Sequence, residues 1–177
     1  MKRVVHKRNL LNKKAQMQIS FGMIFSIILI IFFLAFAFFG IRAFLGVQGS
    51  GETAKFLNDF QSDAEKVWKS AQSSENEEYT LPDERSFVCF VDFSSSARGA
   101  KNGIYNELKR AYYEKENIVF YPLEFEGTES AEIKYIDLTA ITENENPFCI
   151  ENINGKIKLR LTKGFGDNLV TIERAGG

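Results

Sequence analysis

From residue 15 to residue 41 the chain carries no charged side chain. An uncharged run of 27 residues makes a helix of roughly 40 Å at about 1.5 Å per residue. That length crosses about 30 Å of hydrocarbon with some tilt. The first expectation is therefore a single transmembrane helix over 16–45. A cleavable secretory signal would have a shorter apolar stretch and a small-x-small exit. Here the run is longer and leads into Arg42-Ala43-Phe44-Leu45.

Charge orients the span. Residues 1–15 hold Lys2, Arg3, Lys7, Arg8, Lys13 and Lys14 and no acid, a leader of +6. Of the 22 bases in the chain, 16 then remain against 23 acids, so the rest is −7 although the net charge is only −1. A basic tail beside an apolar run reads as a cytoplasmic membrane flank rather than a nucleic-acid patch. The positive-inside bias places the N-terminus in the cytoplasm and residues 52–177 outside the cell membrane.

Cys89 and Cys149 both fall in that exported part. Paired cysteines outside the cytoplasm usually oxidise, so a disulfide is expected, with two buried thiols as the alternative.

Within the span, Gly22, Ser26, Ala37 and Gly40 fall within about 60° of one another at 100° per residue. Phe21, Phe25, Phe32, Phe36 and Phe39 form a second stripe beside them. Small residues let helices approach closely in lipid, and Gly22-x-x-x-Ser26 has small-xxx-small spacing. Self-association through this face is one reading; chance striping in a Phe-rich span is the other.

Three glycines within 46–51 weaken a helix by nearly 1 kcal/mol each relative to alanine, so a hinge, kink or short linker is expected there. An amphipathic helix should follow over 52–73, with Phe56, Leu57, Phe60, Ala64, Val67, Trp68 and Ala71 on one face. The polar run 73–78 ends it. Strands are expected over 86–93, 118–121, 133–138 and 169–173, and a short helix over 106–116. The strongest β signal is a hairpin, 148–153 and 156–161, joined by Asn154-Gly155, the preferred type I′ pair. In that register Cys149 lies opposite Arg160 on the wet face, in tension with a buried disulfide. The expected fold is α+β: a long N-terminal helix, apolar then amphipathic and kinked near Gly46, packed on a small antiparallel sheet.

Chemistry is sparse. The lone histidine, His6, sits in the basic leader and cannot serve an exported active site. No enzyme and no cofactor are expected. Asp92-Phe93-Ser94-Ser95-Ser96 resembles the divalent-metal adhesion motif of von Willebrand A-type domains, making Asp92, Ser94 and Ser96 weak metal candidates. Only 81 residues follow Ser96, too few for the rest of such a domain, and a polar strand exit explains the cluster as well. Glu124, Glu126, Glu129 and Glu132 read as solvated surface.

Lys13-Lys14-Ala15-Gln16-Met17, at the membrane boundary, resembles an archaeal class III, prepilin-type signal. In that family a basic pair and a small residue precede the cut, and the apolar helix stays on the mature chain. The resemblance implies cleavage between Ala15 and Gln16 by a prepilin-type peptidase. It also implies a type IV pilin-like subunit, with the lipid bilayer and other pilin-like subunits as partners and a surface filament as its assembly. Many members carry a glutamate at the fifth mature position, which is Ser20 here, a departure at the position associated with docking between neighbours. The alternative expectation is a single-pass anchor carrying an extracytoplasmic binding or adhesion domain.

Overall fold

The computed structural model describes residues 21–111, 115–123 and 130–176. It divides into two compact units, Met1–Ile41 and Arg42–Gly177. The first helix, α1, spans Phe21–Lys69. Its segment Phe21–Phe44, 24 residues of mean hydropathy 3.0 with none of it buried, is long and apolar enough to cross a membrane. Residues 46–51, expected as a hinge, a kink or a short linker, lie within the helical span.

In the second unit the amphipathic half of α1 follows its periodicity. Phe56, Phe60, Ala64 and Val67 recur every three or four residues, and all are buried. Leu57 and Trp68 flank this stripe, partly buried, whereas Ala71 lies past the helix end and is exposed. Lys163 closes that end, its Nζ donating to the carbonyls of Trp68 and Ser70. A cation at a helix C-terminus satisfies orphan carbonyls and matches the helix dipole.

Then comes β1, Ser73–Thr80, where the sequence indicated only a polar helix stop. Then β2, Phe87–Phe90, α2, Asn102–Ala111, and β3, Ile118–Tyr121. The chain continues through β4, Ser130–Ala131, α3, Leu138–Ile141, and β5, Phe148–Glu151. It ends with β6, Lys156–Lys163, and β7, Thr171–Arg174. Two antiparallel sheets form rather than one, in the orders β1-β6-β7 and β4-β3-β2-β5.

The expected hairpin is thereby corrected. Asn154 and Gly155 do turn the chain, with φ of 53° and 73°, and Ile153 bridges Lys156. Beyond that bridge the arms part: β5 pairs with β2, while β6 pairs with β1 and β7. The turn chemistry fixes a reversal, but longer-range partners compete for both arms.

Two other elements shift. No strand runs over 133–138: Tyr135 has φ of 69°, which interrupts extended backbone, and Asp137 caps α3 through Ala140 N. Tyr135 stacks on Trp68 with ring centroids 4.1 Å apart. The helix expected over 106–116 starts earlier, at Asn102, because Tyr105 and Leu108 are its buried residues.

Alternation along the four-stranded sheet feeds two cores. Val88, Phe90, Ile118, Phe120 and Ile150 face the main core with α1 and the inner face of β6. Cys89, Val91, Val119 and Cys149 face the other way, under Tyr105 and Leu108 of α2. That sheet is thus covered on both sides.

Candidate functional site

The disulfide is formed. Cys89 and Cys149 are bonded and stand directly opposite each other on β2 and β5. The tension with Arg160 disappears because β5 does not pair with β6. The covering segment is α2, and both sulfur-bearing residues are buried, at 0% and 4% exposure.

Lys13, Lys14, Ala15 and Gln16, together with Ser20, lie outside the described residues. Gly22, Ser26, Ala37 and Gly40 lie on the exposed apolar segment. The Ser26 hydroxyl donates to the Gly22 carbonyl at 2.8 Å, so it is satisfied within its own helix. A Cβ added at Gly40 would meet nothing within 4 Å.

Asp92 closes a local turn. Its Oδ1 accepts from the Ser94 amide at 2.9 Å and the Ser94 hydroxyl at 2.6 Å, and its Oδ2 accepts from the Ser95 hydroxyl. Ser96 instead presents its carbonyl to Asn146 Nδ2. Partial burial pushes the Asp92 carboxyl up, but the Ser94 and Ser95 hydrogen bonds outweigh this and hold it below its usual range. A carboxylate lowered in this way stabilises the folded state above its unfolded pKa. That contribution is lost as pH falls through the folded one. Among the described residues no three His, Cys, Asp or Glu side chains are grouped to hold a metal ion.

The sequence did not point to a cleft of about 750 Å³ in the second unit, where the two sheets part after Gly155. Its volume falls in the range of small-molecule pockets. Its cations are Lys101, Lys156, Lys158 and Arg174; its acids are Glu78 and Glu151. Phe87, Ile150 and Ile153 supply apolar surface. Glu78 is shared, 3.1 Å from Lys158 and 3.4 Å from Lys156, and Lys158 foremost, then Lys156, holds its carboxyl below the usual range. Arg174 reaches Glu145 at 2.6 Å and donates to the Cys149 carbonyl at 2.9 Å. Lys101 sits over the Phe87 ring, 3.9 Å from its centroid, a cation–π contact. Alternation of Lys156 and Lys158 marks one wet face of β6 in the sequence. Nothing local shows that Lys101, far earlier in the chain, joins it.

Comparison with protein-family models, curated proteins and solved structures finds no match to this chain.

Proposed function

We propose that the chain is a pilin-like structural subunit, anchored by its N-terminal helix with the α+β domain outside the cell, and assembled with other copies at the cell surface. The observation that carries this reading is the division of labour along α1. Phe21–Phe44 is apolar and exposed, while Phe56, Phe60, Ala64 and Val67 of the same helix are built into the core of a folded domain. A simple anchor has no need of a helix that also serves as the spine of its domain. The junction Lys13-Lys14-Ala15-Gln16 adds to this reading, because it sets a small residue between a basic pair and the span.

Mass spectrometry of the native N-terminus tests it. In a prepilin-peptidase-competent cell the mature chain should begin at Gln16, and Ala15→Leu should leave residues 1–15 attached. An intact N-terminus in the wild-type protein would remove the pilin-like reading. The remaining reading would then be an anchored extracytoplasmic binding module, which Ser20 favours by departing from the family's glutamate.

Packing in lipid depends on close van der Waals fit. Gly22→Leu or Ser26→Leu should therefore reduce crosslinking between copies in native membranes several-fold, while Ile28→Leu, on another side of the helix, should leave it unchanged. Equal yields from Gly22→Leu and Ile28→Leu would show that the small-residue face plays no part in association.

A further inference from the structure

We infer that Asn154-Gly155 is a latent self-modification site, closed while the turn between β5 and β6 is formed and open when that turn comes apart. This does not depend on the pilin-like reading.

The fold itself places a reactive pair here. Asn154 and Gly155 hold φ of 53° and 73°, and the Lys156 amide donates to the Ile153 carbonyl at 3.1 Å. Positive φ at both central positions makes this a type I′ turn. Glycine is required at the second of them. A Cβ added at Gly155 would lie 3.1 Å from Asp83 Oδ1 and 3.3 Å from the Leu81 carbonyl oxygen, at a φ that side chains disfavour. The same lack of a side chain leaves the Gly155 nitrogen unshielded next to the Asn154 amide. Asn154 is exposed, so water reaches it.

The chemistry is intramolecular. The Gly155 nitrogen attacks Asn154 Cγ. An N–Cγ bond forms, the Cγ–Nδ2 bond breaks, and the Gly155 amide proton leaves with the side-chain nitrogen as ammonia. Water then opens the cyclic imide at either carbonyl. One product is aspartate; the other is isoaspartate, whose main chain runs through Cβ.

Backbone geometry decides when this happens. Ring closure needs the Gly155 nitrogen nearly eclipsed with Asn154 Cβ about the Cα–C bond. A type I′ turn, the mirror of type I, sets ψ of its first central residue at about +30°, which holds that nitrogen about 150° away from Cβ. Three hydrogen bonds keep the turn closed. Ile153 and Lys156 exchange two, at 3.0 and 3.1 Å, and the Leu81 amide donates to the Gly155 carbonyl at 3.0 Å. None of them uses the Gly155 N–H. The pair therefore reacts only from locally opened molecules, and its rate follows the free energy of opening. Isoaspartate adds one atom to the main chain, so the reciprocal Ile153–Lys156 bonds cannot both be remade. An opening is thereby recorded covalently.

The test uses the full, oxidised chain in detergent, kept in warm, mildly alkaline buffer with and without guanidinium chloride. Peptide mass spectrometry reads conversion of the side-chain amide to an acid, and an isoaspartate-specific methyltransferase reads the isomer. In denaturant Asn154 should convert as fast as Asn102, which also precedes a glycine. In the native protein Asn154 should convert at least about tenfold more slowly than in denaturant, because opening limits it. Equal rates in the two conditions would overturn the gating. An unreactive Asn154 in denaturant that converts Asn102 would overturn the site. Asn154→Asp separates charge from backbone, since it carries the new carboxylate on an unaltered main chain and aspartate tolerates this φ. After removal of denaturant that variant should regain the wild-type urea midpoint, and the isoaspartyl fraction should refold to a lower one. Equal midpoints would show that the longer turn is remade, and would overturn the covalent record.

Discussion

Replacing Phe60 by alanine should lower the stability of the folded unit Arg42–Gly177 by about 3–5 kcal/mol, the range for truncating a buried phenylalanine. Phe60 has no exposed surface. It stacks on Phe56 with centroids 5.8 Å apart, meets Tyr79 edge-on at 5.8 Å and approaches Phe90 at 5.7 Å. These neighbours come from α1, β1 and β2, so the ring joins the helix to strands of both sheets. They cannot close over the void together, because each is held elsewhere. Phe56 also packs against Phe120 at 5.5 Å, and the Tyr79 hydroxyl donates to Asp63 at 2.8 Å. Burial, with Asp63 second, pushes that hydroxyl far above its ordinary pKa, so it remains a donor at any physiological pH. Urea titration of the full chain in detergent reads the effect as a fall in the midpoint with an unchanged slope. Phe165→Ala is the matched control: this ring is 87% exposed and should change stability by no more than about 0.5 kcal/mol. A similar small change from Phe60→Ala would mean that the helix does not pack on the sheets through this face.

The second large effect is expected from the covalent link. Converting both Cys89 and Cys149 to alanine should cost about 2–5 kcal/mol. The bond spans a sequence separation of 60 residues, and closing a loop of that length removes on the order of 4 kcal/mol of unfolded-chain entropy in the simplest treatment. The loop holds α2, β3, β4 and α3, so two strands of the four-stranded sheet lie inside it and the other two carry its ends. Packing is lost as well, since both residues sit under Tyr105 and Leu108 in the smaller core. Thermal melts with and without reductant, paired with alkylation, measure this directly. Alkylation should label neither cysteine before reduction. Labelling of both in the native, unreduced protein, or an unchanged melt for the double variant, would refute the link's role.

Features carried by short-range periodicity were legible in advance. The Phe56, Phe60, Ala64 and Val67 stripe needs only the 3.6-residue repeat. The strand Ile118–Tyr121 is a run of β-branched and aromatic residues, and its boundaries hold. The candidate site was much less legible. Lys101, the β6 pair Lys156 and Lys158, and Arg174 come from three separate segments and converge only after the sheets are assembled.

β1 shows why. Ser73-Ser74-Glu75-Asn76-Glu77-Glu78 has poor intrinsic β propensity, and by itself it reads as a place where a helix stops. Its strand character comes from β6. Asn76 lies opposite Arg160, Glu78 opposite Lys158 and Thr80 opposite Lys156. Arg160 Nε donates to Asn76 Oδ1 at 2.9 Å and Lys156 Nζ to the Thr80 hydroxyl at 3.2 Å. Cross-strand polar pairs of this kind stabilise a sheet by a few tenths of a kcal/mol each, and none of them exists before the partner arrives.

The sequence by itself determined an apolar segment long enough to span a bilayer, the amphipathic helix after it, the turn at Asn154-Gly155 and the mixed α+β class. Each of these follows from neighbours within a few residues, where spacing and backbone preference act alone. The tertiary structure decided that β5 and β6 separate into two sheets, that Cys89 meets Cys149 beneath α2, and that a cationic cleft opens where the sheets part. Those outcomes depend on which of several possible strands wins each edge. That competition is settled by burial of whole faces, a quantity no local window of the chain contains.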